Sequence, residues 1–468
     1  MKYNTKKKVV STVNLAGGKA NKLNSKMELI FAVLSTFLKD EFYESGDSRA
    51  ERIKDLIQLV DDPLFVAQLA VVARDSFNLR SVSHLLIGSL AKSHGGDSLV
   101  GRAIFNVTKR PDDLLEIASV IGINDLTNQF KKGFNHAILK FNKYNLAKYR
   151  GEGKDIKMVD LFNLCHPSSS SATEEQKSAW KDLINGDLKN KETWESKKSS
   201  GKTSEETFGA LLAEGKLGAM ACLRNLRNIQ NDCSERTKNL ACDLLMNEEI
   251  IKKSRILPFR FYTAYKEVSD SKILTAISQA LEFSLSNVPS FDGETLIAVD
   301  TSGSMTYNDR CIDIASVFAA ALFKKNSSDV VLYDTSIRDA KLIRTDSVLT
   351  LSDKIIGMAH GGGTQTSLVF DYALKSKKKY DRIIILSDNE SWADYGSVQK
   401  VYNNTAKSIG NPTVFCVDLQ GYGTVDIKGS KVFHMAGWSE KMFELMLWIE
   451  KGDTLIDYIS KRELKYDL

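Results

Sequence analysis

The chain has 468 residues, 43% of them apolar, and a formal net charge of +5, so two or three domains with sizeable cores are expected. Its six cysteines, at 165, 222, 233, 242, 311 and 416, include no C-x-x-C pair, which argues against a zinc framework or disulfide scaffold and for a reducing compartment. The basic opening MKYNTKKK runs into a stretch too polar and glycine-rich for a signal-peptide core, and no run is long enough to span a bilayer. The expectation is a soluble, cytoplasmic protein without a membrane partner.

Charge divides unevenly, at about +8 over 1–290 and about −3 over 291–468, so a polyanionic partner would meet the first part. From Ser25 to Leu285 the pattern is helical. In DDPLFVAQLAVVARDSF, Asp62 can cap a helix with Pro63 in its first turn, and Leu64, Ala67 and Val71 recur at helical spacing as a buried stripe. Further helical segments follow: SVSHLLIGSLAKS, PDDLLEIASVIG, LTNQFKKGFNHAILKFNKYNLAKY, FGALLAEGKLGAMACLRNLRNI, TKNLACDLLMNEEI and SKILTAISQALEFSL. Short amphipathic helices in succession suggest stacked hairpins of the HEAT kind, or a large irregular bundle. Residues 168–204, polar and serine-rich, read as a long surface excursion with a short helix around Trp180.

After SNVPSFDGE the pattern changes to apolar β runs (TLIAVD, DVVLYD, AKLIRT, RIIILSD, TVFCVDL, KVFHMAG) alternating with helices. That is the signature of a largely parallel sheet covered on both faces, which binds ligands at the carboxyl ends of its strands. Three polar motifs fall there: Asp300, Ser302 and Ser304 in DTSGS, Thr364 in HGGGTQT, and Asp388 in LSDNE. DTSGS alone admits a nucleophile turn, an oxygen cage for a hard cation, or an ordinary polar loop. It is no G-x-S-x-G elbow and no suitably placed histidine follows, whereas five oxygen ligands suit Mg²⁺, Mn²⁺ or Ca²⁺. At these residues the sequence resembles the von Willebrand factor A domain, whose metal-ion-dependent adhesion site is written D-x-S-x-S, T, D on successive loops. The resemblance implies that Asp300, Ser302, Ser304 and Thr364 hold a divalent cation, Mg²⁺ first among candidates. Asp388 would bind it directly or through water, and an acidic group on a partner would complete the shell.

Within NQFKKGFNHAILKFNKY, Lys132, His136, Lys140 and Lys143 fall at spacings of four, four and three, one face of a continuous helix. Phe130, Phe134, Ala137, Ile138 and Phe141 fall on the other. Lys148, Arg150, Lys154 and Lys157 extend the charge, which is either a solvated face or a nucleic-acid patch. A long helical region before an A domain is the arrangement of the Ro autoantigen family, whose helical part is the TROVE module. The stretches VNLAGGKA, FVAQLAVVARDSFNLRSVSHLLIGSLA, NLAKYRG, VDLFNLCHPS, TWE, LGAMACLRNLRNI and ILPFRFYTAY are similar to that family, and the whole looks like a bacterial or phage-type Ro ribonucleoprotein.

The resemblance implies a HEAT-like helical toroid over 1–290, sealed by an A domain over 291–468. It implies a monomeric, non-catalytic protein of RNA quality control. Its outer basic surface would scaffold a small non-coding Y-like RNA, and its central hole would take single-stranded 3′ ends of defective RNAs. An exoribonuclease such as polynucleotide phosphorylase would be a partner. By motif position Lys148 and His166 would contact RNA, Arg224 would face the hole, and Trp194 and Glu195 would be structural; His166, before Pro167, reads equally as a helix end. Two other classes compete: a protein-interaction scaffold without RNA, and a metal-dependent transferase, for which no base, nucleophile or phosphate loop is evident.

Overall fold

Asp62 opens a helix as its residue type predicts: its carboxylate accepts from the Phe65 N–H at 3.0 Å, and Pro63 takes the first position of Pro63–Asp75. Leu64, expected in the buried stripe, is instead 48% exposed, because the buried stretch begins one residue later and runs from Phe65 to Ala73. The computed structural model describes residues 11–13, 19–22, 24–34, 46–188, 202–256, 258–288, 290–307, 310–392, 398–420, 424–436, 441–450 and 454–466. Its chain packs as two units: Ala32–Gly201 with Thr454–Leu468, and Met1–Phe31 with Lys202–Asp453. Among the described residues no helix is long and apolar enough to cross a membrane.

Among its described residues the first unit has helices and no strand. Asp97, Thr127 and Thr173 cap Ser98–Val107, Asn128–Ala137 and Glu174–Asn185, each satisfying a backbone N–H that the helix leaves unpaired. Ser98–Val107 and Asn128–Ala137 meet at two glycines: a Cβ on Gly133 would lie 2.7 Å from the Gly101 carbonyl oxygen. The expected continuous helix through 128–148 is broken. Asn128–Ala137 tightens into a 3₁₀ turn at Ile138–Lys140, Phe141 is extended, and Asn142 caps a new helix, Lys143–Lys148. The cap is reciprocal, since the Asn142 and Asn145 side chains each accept from the other's N–H at 3.0 and 3.3 Å. In the polar stretch after His166, Glu174–Asn185 buries Trp180, and the Gln176 amide donates to the Leu139 and Phe141 carbonyls at 2.8 and 3.1 Å. Trp194 and Glu195 lie outside the described residues.

The second unit joins the last helices of the helical region to an α/β domain. Lys266, at the end of Pro258–Lys266, pairs with Asp313 at 2.8 Å, and Glu282 in Ser271–Ser284 pairs with Lys324 at 3.0 Å and accepts from the Val348 N–H at 2.7 Å. Strands β1 (Ser11–Val13) and β2 (Lys19–Lys22) are antiparallel. The main sheet contains β3 (Thr295–Asp300), β4 (Ser328–Tyr333), β5 (Ile337–Asp339), β6 (Arg382–Ser387), β7 (Thr413–Asp418) and, after the short β8 (Thr424–Val425), β9 (Val432–Ala436). Its order is β5-β4-β3-β6-β7-β9, parallel except for β5, while β8 pairs with β2. β3 and β6 are buried along their whole length, which is why their sequences are unbroken apolar runs. One expected strand is corrected. AKLIRT, 340–345, is irregular, the strand lies just before it as the β5 hairpin arm, and the unforeseen helix Val348–Gly357, capped by Ser347, follows.

Candidate metal centre and basic surfaces

From β3 the chain moves outward to β4 and β5 on one side, while β6, β7 and β9 lie on the other. The gap between the carboxyl ends of β3 and β6 is thus the switch point at which such sheets bind ligands. Val299 pairs with Leu386 in register, so the next residues, Asp300 and Ser387, stand side by side, and the Ser387 hydroxyl donates to Asp300 Oδ2 at 2.6 Å. Asp300 Oδ1 accepts from the Ser302 N–H at 2.9 Å, and the Ser302 and Ser304 hydroxyls are 3.4 Å apart. The glycine loop is drawn in by backbone pairing: Gly303 N–H donates to Gly362 O at 2.9 Å and Gly361 N–H to Thr301 O at 3.1 Å. Gly361 has φ 72°, a conformation that favours glycine. On its other side the loop is tied to the segment after β6, where Trp392 N–H and the Ser391 hydroxyl donate to Thr364 O at 3.1 and 3.2 Å.

All five candidate residues are buried, Asp300 and Asp388 completely; Asp300, Ser302, Ser304 and Asp388 adjoin one another, and the Thr364 loop is held beside them through its backbone. Burial pushes the Asp300 carboxyl above its usual range and the charge of Asp388 pushes it further, against hydrogen bonds from Ser387 and Ser302. Burial likewise raises Asp388, against hydrogen bonds from Ser304 and the Glu390 N–H. Asp388 Oδ2 has no hydrogen-bond partner. Two buried carboxylates facing each other, one with an orphaned oxygen and both among hydroxyls, are a donor set that a hard divalent cation fits. Sequence reasoning missed Ser387, which holds Asp300 in place, and Trp392, whose ring lies 2.6 Å from where a Gly363 Cβ would be and is 55% exposed. Ser387 had a signal, its place in register beside Asp300; Trp392 had none.

The basic residues are more dispersed. Lys132 is exposed and His136 half-buried on Asn128–Ala137. Lys140 is on the 3₁₀ turn, where its ammonium donates to the Phe105 and Thr108 carbonyls; burial, then the charge of Lys109, push it down to about 8. Lys143 pairs with Asp182 at 2.6 Å, and Arg150 binds the Leu188 carbonyl and Glu152. The expected stripe is not one face of a continuous helix, because the helix is interrupted at 138–142, and internal partners engage Lys140, Lys143 and Arg150. Lys148 is half-buried beside Tyr149, and His166, exposed, ends Met158–Cys165 in a left-handed conformation with φ 47°. In the second unit Arg224 is exposed and lines a cavity of about 540 Å³ with Arg227, Arg260, Asn228 and Met220. Arg227 and Arg260 were missed, although LRNLRN puts Arg224 and Arg227 one turn apart.

Two stretches match family models: 179–287 matches the TROVE domain and 294–447 the Ro60 vWA domain. Among solved structures, the fold is similar to that of the crystal structure of the RO (RSR) protein of Deinococcus radiodurans. That likeness has 16% identity and a TM-score of 0.64, and covers 92% of this chain and 99% of that one.

Proposed function

The chain belongs to the Ro family, with a TROVE domain and a Ro60-type vWA domain, and on that premise we propose that it is an RNA-binding protein that scaffolds a small structured Y-like RNA and takes single-stranded 3′ ends. The observation that carries the reading is the cavity lined by Arg224, Arg227, Arg260 and Glu267, which lies in the TROVE-matched stretch; Arg227 pairs with Glu267 at 3.2 Å, and the exposed Arg224 is its principal candidate for a phosphate. Guanidinium groups bind phosphate oxygens in a bidentate fork and stack on bases, and the apolar floor of Met220, Leu223 and Leu226 suits unpaired bases better than a duplex. The exposed side chains of Lys132 and His166 are the candidates for a second, structured-RNA contact on the helical unit. Crosslinking in cells, denaturing purification and sequencing test this. A discrete small RNA with 3′-extended transcripts, and crosslinks at Arg224, are expected. No enrichment over an uncrosslinked control overturns the reading in favour of a protein scaffold.

In the vWA domain Asp300, Ser302, Ser304, Thr364 and Asp388 would hold a divalent cation, Mg²⁺ before Mn²⁺ or Ca²⁺. When bound, the ion supplies a positive charge that an acidic group of a partner, an exoribonuclease among the candidates, can complete. The chain's own part is to place oxygen donors and exclude water: β3 and β6 fix the carboxylates, Ser387 orients Asp300, and the 361–363 glycines admit the Thr364 loop. Magnesium titration is expected to raise the melting temperature and shift Trp392 emission, with both responses lost in Asp388→Asn. Equal responses in both proteins would remove the site.

A further inference from the structure

The last described stretch, 454–466, belongs to the helical unit and is held there through its backbone. The Gln68 amide donates to the carbonyls of Ser460 and Arg462 at 2.7 and 3.1 Å. The Asn106 amide donates to Lys465 O at 2.8 Å and accepts from Lys465 N–H at 3.2 Å, as a neighbouring strand would. Arg462 pairs with Asp75, and the hydroxyls of Tyr458 and Ser76 are 3.1 Å apart. Beyond these clamps the Tyr466 ring packs against two others, with centroids 4.9 Å from Phe105 and 4.6 Å from His136 and planes tilted by 36° and 55°. The Lys140 ammonium sits 3.5 Å from the Phe105 centroid, and Lys109 is near enough to lower its proton affinity.

The guest is held less well than the strap. Tyr466 is 47% exposed, and its φ of 92° is one that side-chain-bearing residues seldom adopt. The amide clamps end at Lys465, so the ring can leave while the strap stays. What it leaves is two aromatic rings beside a cation, the composition of a base-stacking platform. Two donors of Lys140 are spent on carbonyls and a third remains, while Lys132 is exposed one turn before His136.

We propose that Phe105, His136 and Lys140 form a stacking subsite for an unpaired nucleobase, and that the chain's own Tyr466 occupies it in competition with single-stranded RNA. The inference rests on the RNA-binding reading and adds self-occupancy to it. The test is fluorescence anisotropy of a labelled ten-nucleotide oligouridylate with the full chain at fixed salt. Tyr466→Ala is expected to tighten binding by about tenfold, the size of one base-stacking contact. Combining it with His136→Ala or, independently, Phe105→Ala is expected to abolish the gain. His136 is half-buried, so that variant keeps the test open if Phe105→Ala fails to fold. Unchanged or weaker binding by Tyr466→Ala overturns the proposal, as does a gain that survives both double substitutions. Absence of oligouridylate binding by either protein also overturns it; the RNA-binding reading falls with it only if crosslinking in cells recovers no RNA.

Discussion

Two buried carboxylates, one in each unit, show opposite uses of the same group. Asp113, fully buried in the helical unit, accepts from Arg74 at 3.2 Å, from His84 at 3.1 Å, from Arg80, and from the N–H groups of Lys109 and Arg110, both at 2.9 Å. Burial pushes its carboxyl up, but hydrogen bonds from His84 and Arg80 and the charges of Arg74 and Arg80 outweigh that and hold it well below the usual range. Asp388, equally buried in the vWA domain, keeps an unpartnered oxygen beside a second carboxylate. The helical unit satisfies its buried charge from within. The vWA domain leaves an oxygen of its buried pair unsatisfied, which is the difference expected between an architectural ion cluster and the proposed cation site.

The largest expected effect tests the first half of that contrast. Asp113→Ala removes the partner of the half-buried Arg74 and one of the two carboxylates that hold Arg80, which keeps Asp112 at 2.7 Å, and should cost about 3 kcal/mol in denaturant unfolding. Because the folded-state pKa is depressed, Asp113 contributes its full stabilisation above the unfolded-state value of about 4. That contribution is lost as acid drives the pH down through the folded value, so the wild type should lose stability below pH 4 more steeply than Asp113→Ala. The second half carries the opposite sign. Asp388→Asn relieves a buried like-charge contact, so the metal-free protein should be no less stable than wild type. It should, however, forfeit the stabilisation that wild type gains from Mg²⁺, about 2.7 kcal/mol at a hundredfold excess over Kd. If Asp388→Asn instead destabilised the metal-free chain as severely as Asp113→Ala, the two carboxylates would be alike and the contrast would break.

The vWA domain was far more legible in sequence than the helical unit, and the contrast explains this too. Its candidate metal-binding residues sit on loops whose positions are dictated by strand ends, so a motif such as DTSGS after an apolar run carries its own geometry. Asp300 and Asp388 needed only the strand order to meet. In the helical unit a lysine's position says little, because whether it faces water depends on residues far away in sequence. Asp182, 39 positions from Lys143, takes that ammonium, and the carbonyls of Phe105 and Thr108 take Lys140. The break at 138–142 was hidden as well, because Phe141 is buried as a continuous helix would bury it, while the local signal, Asn142 as a cap, reads equally as a surface residue. The change to β runs falls near 290 in the sequence, while the helices from 202 onward pack in the same unit as the sheet, a grouping that periodicity alone does not encode.

Smaller effects sharpen the comparison between cations. Arg224→Glu should weaken RNA binding about tenfold and lower the slope of log affinity against log salt by about one, measured by titration at several salt concentrations. Lys143→Ala should do much less. Its ammonium already pairs with Asp182 at 2.6 Å, and both side chains are about one-third exposed, at 38% and 31%. An ion pair of that exposure contributes on the order of 0.5 kcal/mol, so unfolding should change by no more than that. A cation neutralised within the protein releases few counterions from RNA, so affinity should change less than about twofold and the salt slope not at all. Removing the partner instead is the informative control, since Asp182→Asn frees Lys143 without moving it and should strengthen RNA binding slightly if the helix Lys143–Lys148 faces the nucleic acid. A loss from Lys143→Ala as large as that from Arg224→Glu would mean that the Asp182 pair opens when RNA arrives, and would return the original lysine stripe to the binding surface.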